Sequence, residues 1–158
     1  RKATLYRKNR EGFQMRLLVQ RSGPASCNVN GDITGKIDSG LVVLVGFTEG
    51  DNSETIKYLV KKLINLRIFP DSNDVMNLSI LDYGGSILSI SQFTLYADTT
   101  KGNRPSYIRA LSGDKASKLY DEFNDELRKY INVETGLFGA DMHISLTNIG
   151  PTTIILER

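Results

Sequence analysis

A side-chain amide and a hydroxyl two residues apart are the groups in this sequence best placed to do chemistry. Gln92 and Thr94 follow an apolar run of strand character that begins at Ile87. At the two-residue period of a strand, their side chains share the core-facing side of Leu88 and Ile90. Because polar groups are costly to bury unpaired, the pattern indicates either a strand end with satisfied polar residues or a functional site. Thr94 would act as a nucleophile only if a base activated it, and no His or Lys lies near it in sequence.

Other kinds of catalytic and ligand-binding site are poorly supported. The sequence contains no phosphate-binding Walker loop, no dinucleotide-binding glycine motif, no Cys-x-x-Cys and no His-Glu-x-x-His. Its one histidine, His143, lies on the polar face of an alternating run and is predicted to be structural. Its one cysteine, Cys27, cannot form an internal disulfide and fits a reducing compartment. We therefore expect no metal and no cofactor.

Charge is unevenly distributed along the 158 residues. The net charge is +2, but residues 1–14 carry +4 and the remainder carries −2. We interpret residues 1–14 as a flexible basic leader, or a segment foreign to the natural protein, and residues 15–158 as one domain. Because the body is not basic, a polyanionic partner would have to bind a local patch. No apolar run approaches the ~20 residues of a membrane span, so we expect a cytoplasmic protein with no membrane contact.

The order of apolar and turn residues predicts a mixed α/β fold. Helical spacing of apolar residues predicts two amphipathic helices, at 53–66 and 114–131. Runs of strand character, with turns at Gly23-Pro24 and Asn30-Gly31, predict strands at 15–21, 25–29, 32–37, 41–47, 87–95, 141–147 and 152–156. Two helices can cover only one side of so many strands. We therefore predict an α/β fold in which two β-sheets pack together, barrel-like, with two helices on one outer face.

Two short segments far apart in the chain carry the strongest functional signal. They are Ser91-Gln92-Phe93-Thr94-Leu95 and Asn148-x-Gly150-Pro151-x-Thr153. Together they resemble the two signature motifs of the D-aminoacyl-tRNA deacylases, formerly called D-tyrosyl-tRNA deacylases. Further segments resemble the family in the expected order, at 15–21, 65–69, 101–105 and 138–142, so that the resemblance covers 15–157. Two positions depart from the common pattern, Ile149, often Asp in relatives, and His143, often Gln.

The resemblance implies a homodimer that hydrolyses the ester between a D-amino acid and the terminal adenosine of tRNA. By this analogy Gly150-Pro151 is a cis peptide that reaches into the partner's pocket, where neighbouring carbonyls hold the substrate's ammonium group. An L side chain would then collide with the protein backbone, whereas a D side chain would point to open space. Glycine has no side chain to reject, so glycyl-tRNA should be cleaved as well.

The resemblance also implies roles for individual residues. It places Ser91, Gln92, Phe93 and Thr94 at the catalytic centre. Two routes are open: Thr94 attacks the ester, or the vicinal 2′-hydroxyl of the adenosine assists the reaction. We favour the second route. In it the Phe93 backbone N–H is the oxyanion donor, and Gln92 and Thr94 orient the ribose and water. The other implied residues bind substrate (Asn148, Phe138 and Met142, with Gly150 and Pro151), brace the Gly-Pro loop (Arg21) or meet the tRNA backbone (Lys101, Arg104 and Arg109).

Two rival functions remain open from sequence alone. A non-catalytic nucleic-acid-binding module on the same fold would show salt-sensitive binding without ester cleavage, with tight binding dependent on the basic leader. A hydrolase of small esters would turn over substrates that lack tRNA.

Overall fold

One long strand, β1 (Arg16–Val29), organises residues 14–158, the part of the chain that the computed structural model describes. The other strands are β2 (Asp32–Ile37), β3 (Gly40–Gly46), β4 (Phe69–Pro70), β5 (Met76–Leu78), β6 (Ser86–Ser91), β7 (Val133–Thr135) and β8 (His143–Glu157). The helices are α1 (Ser53–Asn65), α2 (Ile80–Tyr83) and α3 (Gly113–Arg128), with a 3-10 helix at Phe93–Tyr96.

The main sheet curls into a nearly closed barrel because β1 is long enough to bend and serve three partners. Its first half pairs antiparallel with β3, its second half pairs antiparallel with β2, and β8 pairs antiparallel with both halves. The order continues from β3 through parallel β6 to parallel β7. A Cβ at Gly35 on β2 would lie 2.6 Å from the carbonyl oxygen of Thr135 on β7. Only glycine therefore allows the two edges of the barrel to approach this closely.

Two hydrophobic cores lie on opposite sides of the curled sheet. The larger one packs α1 and α3 against the outer face of β1 and β3, with Leu17, Val43, Leu59 and Phe123 fully buried. The smaller one fills the barrel interior and includes Cys27, Val42, Leu88 and Ile90. Consecutive residues of β6 thus serve different cores, which explains why that strand is apolar on both faces.

The predicted fold class is confirmed, whereas several predicted boundaries are wrong. Gly23-Pro24 does not end the first strand, because Pro24 falls where the β1–β8 register shifts and no ladder N–H is required of it. The two predicted final strands are one continuous strand, β8. The short strands β4, β5 and β7 and the one-turn helix α2 were not predicted, because segments of two to four residues carry no periodic pattern.

The predicted alternation through Gln92 and Thr94 is also wrong. Strand β6 ends at Ser91, and the Gln92 N–H donates to the carbonyl of Val45 near the end of β3. The chain then turns into the 3-10 helix and leaves Phe93 58% exposed. The polar pair therefore lies at a strand-to-helix turn and not along a strand face.

Helix α1 begins at residue 53, as predicted. Its N-cap is Asn52, whose side chain accepts from the backbone N–H groups of Glu54 and Thr55, and Thr55 completes a capping box. The neighbouring Asp51 accepts from the backbone N–H of Thr48 at 2.7 Å.

The predicted basic leader lies outside the described residues except for Gln14, so its conformation is not tested. Within residues 14–158, no helix is both long enough and apolar enough to cross a bilayer.

Candidate active site

A cavity of about 580 Å³ opens where the ends of β3 and β6 meet the segments that flank α3. Such a volume lies within the range of small-molecule and cofactor pockets. The lining comes from four separate stretches of sequence. These are Val45, Gly46 and Phe47; Ile90, Ser91, Gln92 and Phe93; Tyr107, Ala110, Leu111, Gly113 and Ala116; and Phe138, Gly139, Ala140, Met142 and Ile144.

The cavity combines an apolar wall with a few polar groups at the β6 end. The side-chain amide of Gln92 donates to the hydroxyl oxygen of Thr94. Phe93 is the first residue of the 3-10 helix, so its backbone N–H has no acceptor within that helix. Among the described residues that line the cavity there is no His, Lys, Asp or Glu. The site can therefore bind and orient a substrate but has no ordinary general base in its wall.

Aromatic side chains contribute to the lining of the cavity. The rings of Phe93 and Tyr107 meet edge to face, with centroids 5.0 Å apart. The ring of Phe138 lies near that of buried Tyr120, with centroids 5.9 Å apart, and the Tyr120 hydroxyl donates to the carbonyl of Ser89. Burial raises the pKa of Tyr120. The cavity therefore has the mostly apolar, partly aromatic lining that is common in sites that bind small molecules.

Gly150 and Pro151 lie away from this cavity, on an exposed arch of β8. The two-residue step from Gln20 to Ser22 of β1 lies opposite the five-residue step from Asn148 to Thr153 of β8, so the extra residues of β8 bulge outward. The Gly150–Pro151 peptide bond is cis, and both residues are exposed. We call residues 149–152 the Gly-Pro arch.

Side-chain hydrogen bonds hold the Gly-Pro arch. Arg21 donates through Nε to the carbonyl of Ile149 at 3.2 Å and through Nη1 to the carbonyl of Ile68 at 2.8 Å. Asn148 accepts from the backbone N–H of Thr152 at 2.8 Å and donates to the Thr153 hydroxyl at 2.9 Å. Both polar atoms of the Asn148 amide are therefore engaged in shaping the arch.

The basic residues predicted to meet tRNA follow the 3-10 helix. Lys101 and Arg104 are exposed on a loop that is closed by paired backbone hydrogen bonds between Asp98 and Ser106. Arg109 is half-buried, and its carbonyl accepts from the hydroxyl of Thr48 beside the cavity. The carboxylate of Asp98 accepts from the N–H and hydroxyl of Thr100, which lowers the pKa of Asp98. Hydrogen bonds within the loop therefore fix the backbone that carries Lys101 and Arg104.

Comparison with known proteins decides the family. Residues 18–157 match the family model described as D-Tyr-tRNA(Tyr) deacylase. The chain belongs to this deacylase family. Its predicted family and its predicted class, a hydrolase that deacylates D-aminoacyl-tRNA, are thereby confirmed.

Two solved structures share the fold of this deacylase. One, described as c-Myc DNA unwinding element binding protein, is 35% identical, with a TM-score of 0.84 over 89% of this chain and 97% of that chain. The other comes from a structural analysis of a probable eukaryotic D-amino acid tRNA deacylase. It is 18% identical, with a TM-score of 0.80 over 92% of this chain and 100% of that chain. The second likeness shows the shared fold alone.

The deacylase fold gathers only part of the predicted site around one cavity. Ser91, Gln92 and Phe93 line it together with Phe138 and Met142, and Thr94 joins them through its bond to Gln92. Within this chain the arch residues, Asn148 and Arg21 are not part of the cavity wall. Sequence reasoning missed Tyr107, although an aromatic residue within a polar, turn-rich stretch was an available signal.

Proposed function

We propose that this deacylase acts as a homodimer in which the Gly-Pro arch of each subunit enters the cavity of its partner and selects D-aminoacyl-tRNA. The observation that carries the proposal is that the two signature motifs lie at separate places in one chain. The chain has an open cavity at the Ser91–Leu95 motif and an exposed, braced arch at the second motif, and the arch does not line the chain's own cavity. A second copy of the chain brings the two together.

Selection in this proposal depends on main-chain oxygens and not on a reactive side chain. Carbonyl groups of the arch, including that of Gly150, bind the ammonium group of the amino acid and fix its α-carbon. An L side chain is then directed at the backbone, and a D side chain is directed toward solvent. Because glycine offers nothing to exclude, glycyl-tRNA is also a substrate.

Ester cleavage in this proposal is assisted by the substrate. The 2′-hydroxyl of the terminal adenosine assists the attacking water or the leaving oxygen. The N–H of Phe93 donates to the developing oxyanion, and Gln92 and Thr94 position the ribose and the water. The absence of a His, Lys, Asp or Glu side chain among the described lining residues supports this route over attack by Thr94.

The remaining groups bind the nucleic-acid part of the substrate. Phe138 and Met142 line the adenosine pocket, and Tyr107 adds a second aromatic wall. Lys101, Arg104 and Arg109 meet the phosphates of the acceptor end, since phosphate contacts fix position without reading sequence. Arg21 and Asn148 contribute indirectly, by holding the arch. The working compartment in this proposal is the cytoplasm, where charged tRNA is used.

One assay tests the function directly. The protein is incubated with D-tyrosyl-, L-tyrosyl- and glycyl-tRNA, and release of free amino acid is followed while the mass of the protein in solution is measured. We expect hydrolysis of the D and glycyl substrates, protection of the L substrate, and a dimer. Equal cleavage of both enantiomers, or full activity in a monomer, contradicts the proposal. Turnover of small D-amino acid esters at the same efficiency indicates a general esterase instead.

A second candidate is a nucleic-acid-binding module that does not depend on catalysis. The observation favouring it is the 35% identical relative, which is described as binding a DNA unwinding element. This reading predicts binding of uncharged DNA or RNA that weakens steeply with salt. Removal of residues 1–14 should abolish that binding and leave ester cleavage unchanged if the two functions are separate.

A further inference from the structure

We propose that Arg16 is a positioning residue for ester cleavage, because it fixes the 3-10 helix whose first N–H serves as the oxyanion donor. The inference rests on the proposed function for the identity of the reaction. It adds a residue that lies outside the cavity wall and outside both signature motifs.

Arg16 joins three elements at one point. In the sheet it pairs with Gly46 of β3 on one side and with Glu157 of β8 on the other. Its Nη1 donates to the carbonyl of Leu95, inside the 3-10 helix, at 2.8 Å. Its Nε lies 3.0 Å from Oε1 of Glu157 as an ion pair. The guanidinium therefore connects the catalytic turn directly to the two strands beneath it.

Arg16 also contacts Tyr96, the last residue of the 3-10 helix. The guanidinium of Arg16 stacks over the ring of Tyr96, 4.8 Å from the centroid, and the ring is almost completely buried. The Tyr96 hydroxyl donates to the carbonyl of Gln14, and the carbonyl of Gly46 lies 3.4 Å away. The Arg16 side chain thus contacts the 3-10 helix at two points, the carbonyl of Leu95 and the ring of Tyr96.

The close packing leaves little freedom for small adjustments. A Cβ at Gly46 would lie 2.9 Å from Cε2 of Tyr96 and 3.2 Å from the carbonyl oxygen of Gln92. The turn therefore packs directly against the backbone of β3 at Gly46. The hydrogen bond from Arg16 to Leu95 opposes displacement of the turn from this position.

The expected size of the effect follows from the geometry of catalysis. Loss of an oxyanion donor typically costs about 100- to 1,000-fold in kcat, and displacement of a donor costs less than its removal. We expect loss of the Arg16 guanidinium to lower kcat about 5- to 50-fold. Because Arg16 does not line the cavity, KM should change less than about threefold.

The test compares Arg16→Met with Arg16→Lys. Methionine keeps much of the apolar stem and removes the donors, whereas lysine keeps one donor but not the planar stack. The kcat for D-tyrosyl-tRNA should decrease from wild type to lysine to methionine at nearly constant KM. Arg128→Met is the matched control, since Arg128 also reaches a main-chain carbonyl, that of Val133, but at the end of α3.

A second measurement is independent of catalysis. Hydrogen exchange of the peptide that spans residues 92–97 should accelerate in Arg16→Met and remain unchanged in Arg128→Met. Wild-type kcat and unchanged exchange in Arg16→Met overturn the inference, as does a loss confined to KM. If Arg16→Met does not fold, the lysine variant decides between the same outcomes. A wild-type protein that is inactive on every aminoacyl-tRNA counts against the proposed function. In that case hydrogen exchange at residues 92–97 still tests whether Arg16 stabilises the 3-10 helix.

Discussion

The side-chain amide of Gln92 donates a hydrogen bond to the hydroxyl oxygen of Thr94. An acceptor role leaves the hydroxyl proton in place, and a neutral alcohol is a weak nucleophile unless a base removes that proton. Within the described part of the chain, no side chain that lines the cavity is an ordinary base. The pair is therefore better suited to orient ribose and water than to form a covalent intermediate.

Replacement of Thr94 separates these two roles. We expect Thr94→Ala to retain turnover within about 10-fold of wild type, since it loses one orienting hydrogen bond of ~1 kcal/mol. Single-turnover rates on D-tyrosyl-tRNA measure the change. A covalent role for Thr94 predicts a loss of at least about 1,000-fold instead.

Removal of the 2′-hydroxyl from the substrate tests the other half of this mechanism. With tRNA ending in 2′-deoxyadenosine, we expect the rate of the wild-type enzyme to fall by at least about 100-fold, because the hydroxyl that assists the water or the leaving oxygen is lost. The comparison uses matched D-tyrosyl esters at the 3′-oxygen. An unchanged rate rules out substrate assistance.

Gly150 is predicted to be irreplaceable even by alanine. It has φ of +119°, and an added Cβ would lie 2.8 Å from Nη2 of Arg21 and 2.7 Å from Oγ1 of Thr152. We expect Gly150→Ala to displace the Gly-Pro arch and lower kcat/KM for D-tyrosyl-tRNA about 10- to 100-fold.

The control for this substitution is Gly84→Ala. Gly84 also has positive φ, +83°, but an added Cβ there has open space around it. Both variants therefore carry the backbone penalty of alanine at positive φ, about 1 kcal/mol, and only Gly150→Ala adds the steric conflict. Equal activity of the two variants contradicts a role for the arch.

Tyr107 is predicted to contribute to substrate binding through its ring. Tyr107→Ala removes the contact with Phe93 and one wall of the cavity. Aromatic stacking of a nucleobase is worth about 1–3 kcal/mol, so we expect KM to rise about 5- to 100-fold with a smaller change in kcat. Tyr107→Phe retains the ring and should bind as wild type. The measurement is steady-state hydrolysis, and a similar loss in both variants assigns the effect to the hydroxyl instead.

Asp51 is predicted to make stability depend on pH. Burial raises the pKa of Asp51 to about 6, against the lowering effect of backbone N–H bonds from Thr48 and Met15. Because the folded state then binds the proton more tightly than the unfolded state, this contribution is fully present below pH 4 and is lost as pH rises through 6.

The substitution Asp51→Asn isolates this contribution. It keeps an oxygen that accepts from Thr48 but cannot ionise. The free energy of unfolding of wild type relative to Asp51→Asn should fall by about 1–2 kcal/mol between pH 4 and pH 7. Urea unfolding at four pH values measures it. A difference that is constant with pH shows that Asp51 titrates alike in both states.

The sequence and the tertiary structure decided different parts of this protein. Apolar spacing was sufficient to predict the two long helices, because one face of each must be buried whatever it packs against. The residue types at 91–95 and 148–153 likewise indicated the family, since the resemblance depends only on their order.

Only the tertiary structure decided where those residues lie. Strand β6 ends at Ser91, where its partner β3 also ends, at Gly46. The length of the partner strand is not encoded in the sequence of β6 itself. The cavity draws its wall from four separate stretches, and the contact of Arg16 with Leu95 joins residues 79 positions apart. Local sequence determines which segments become helices or strands. Pairing between distant strands determines where those strands end and which residues meet to form the site.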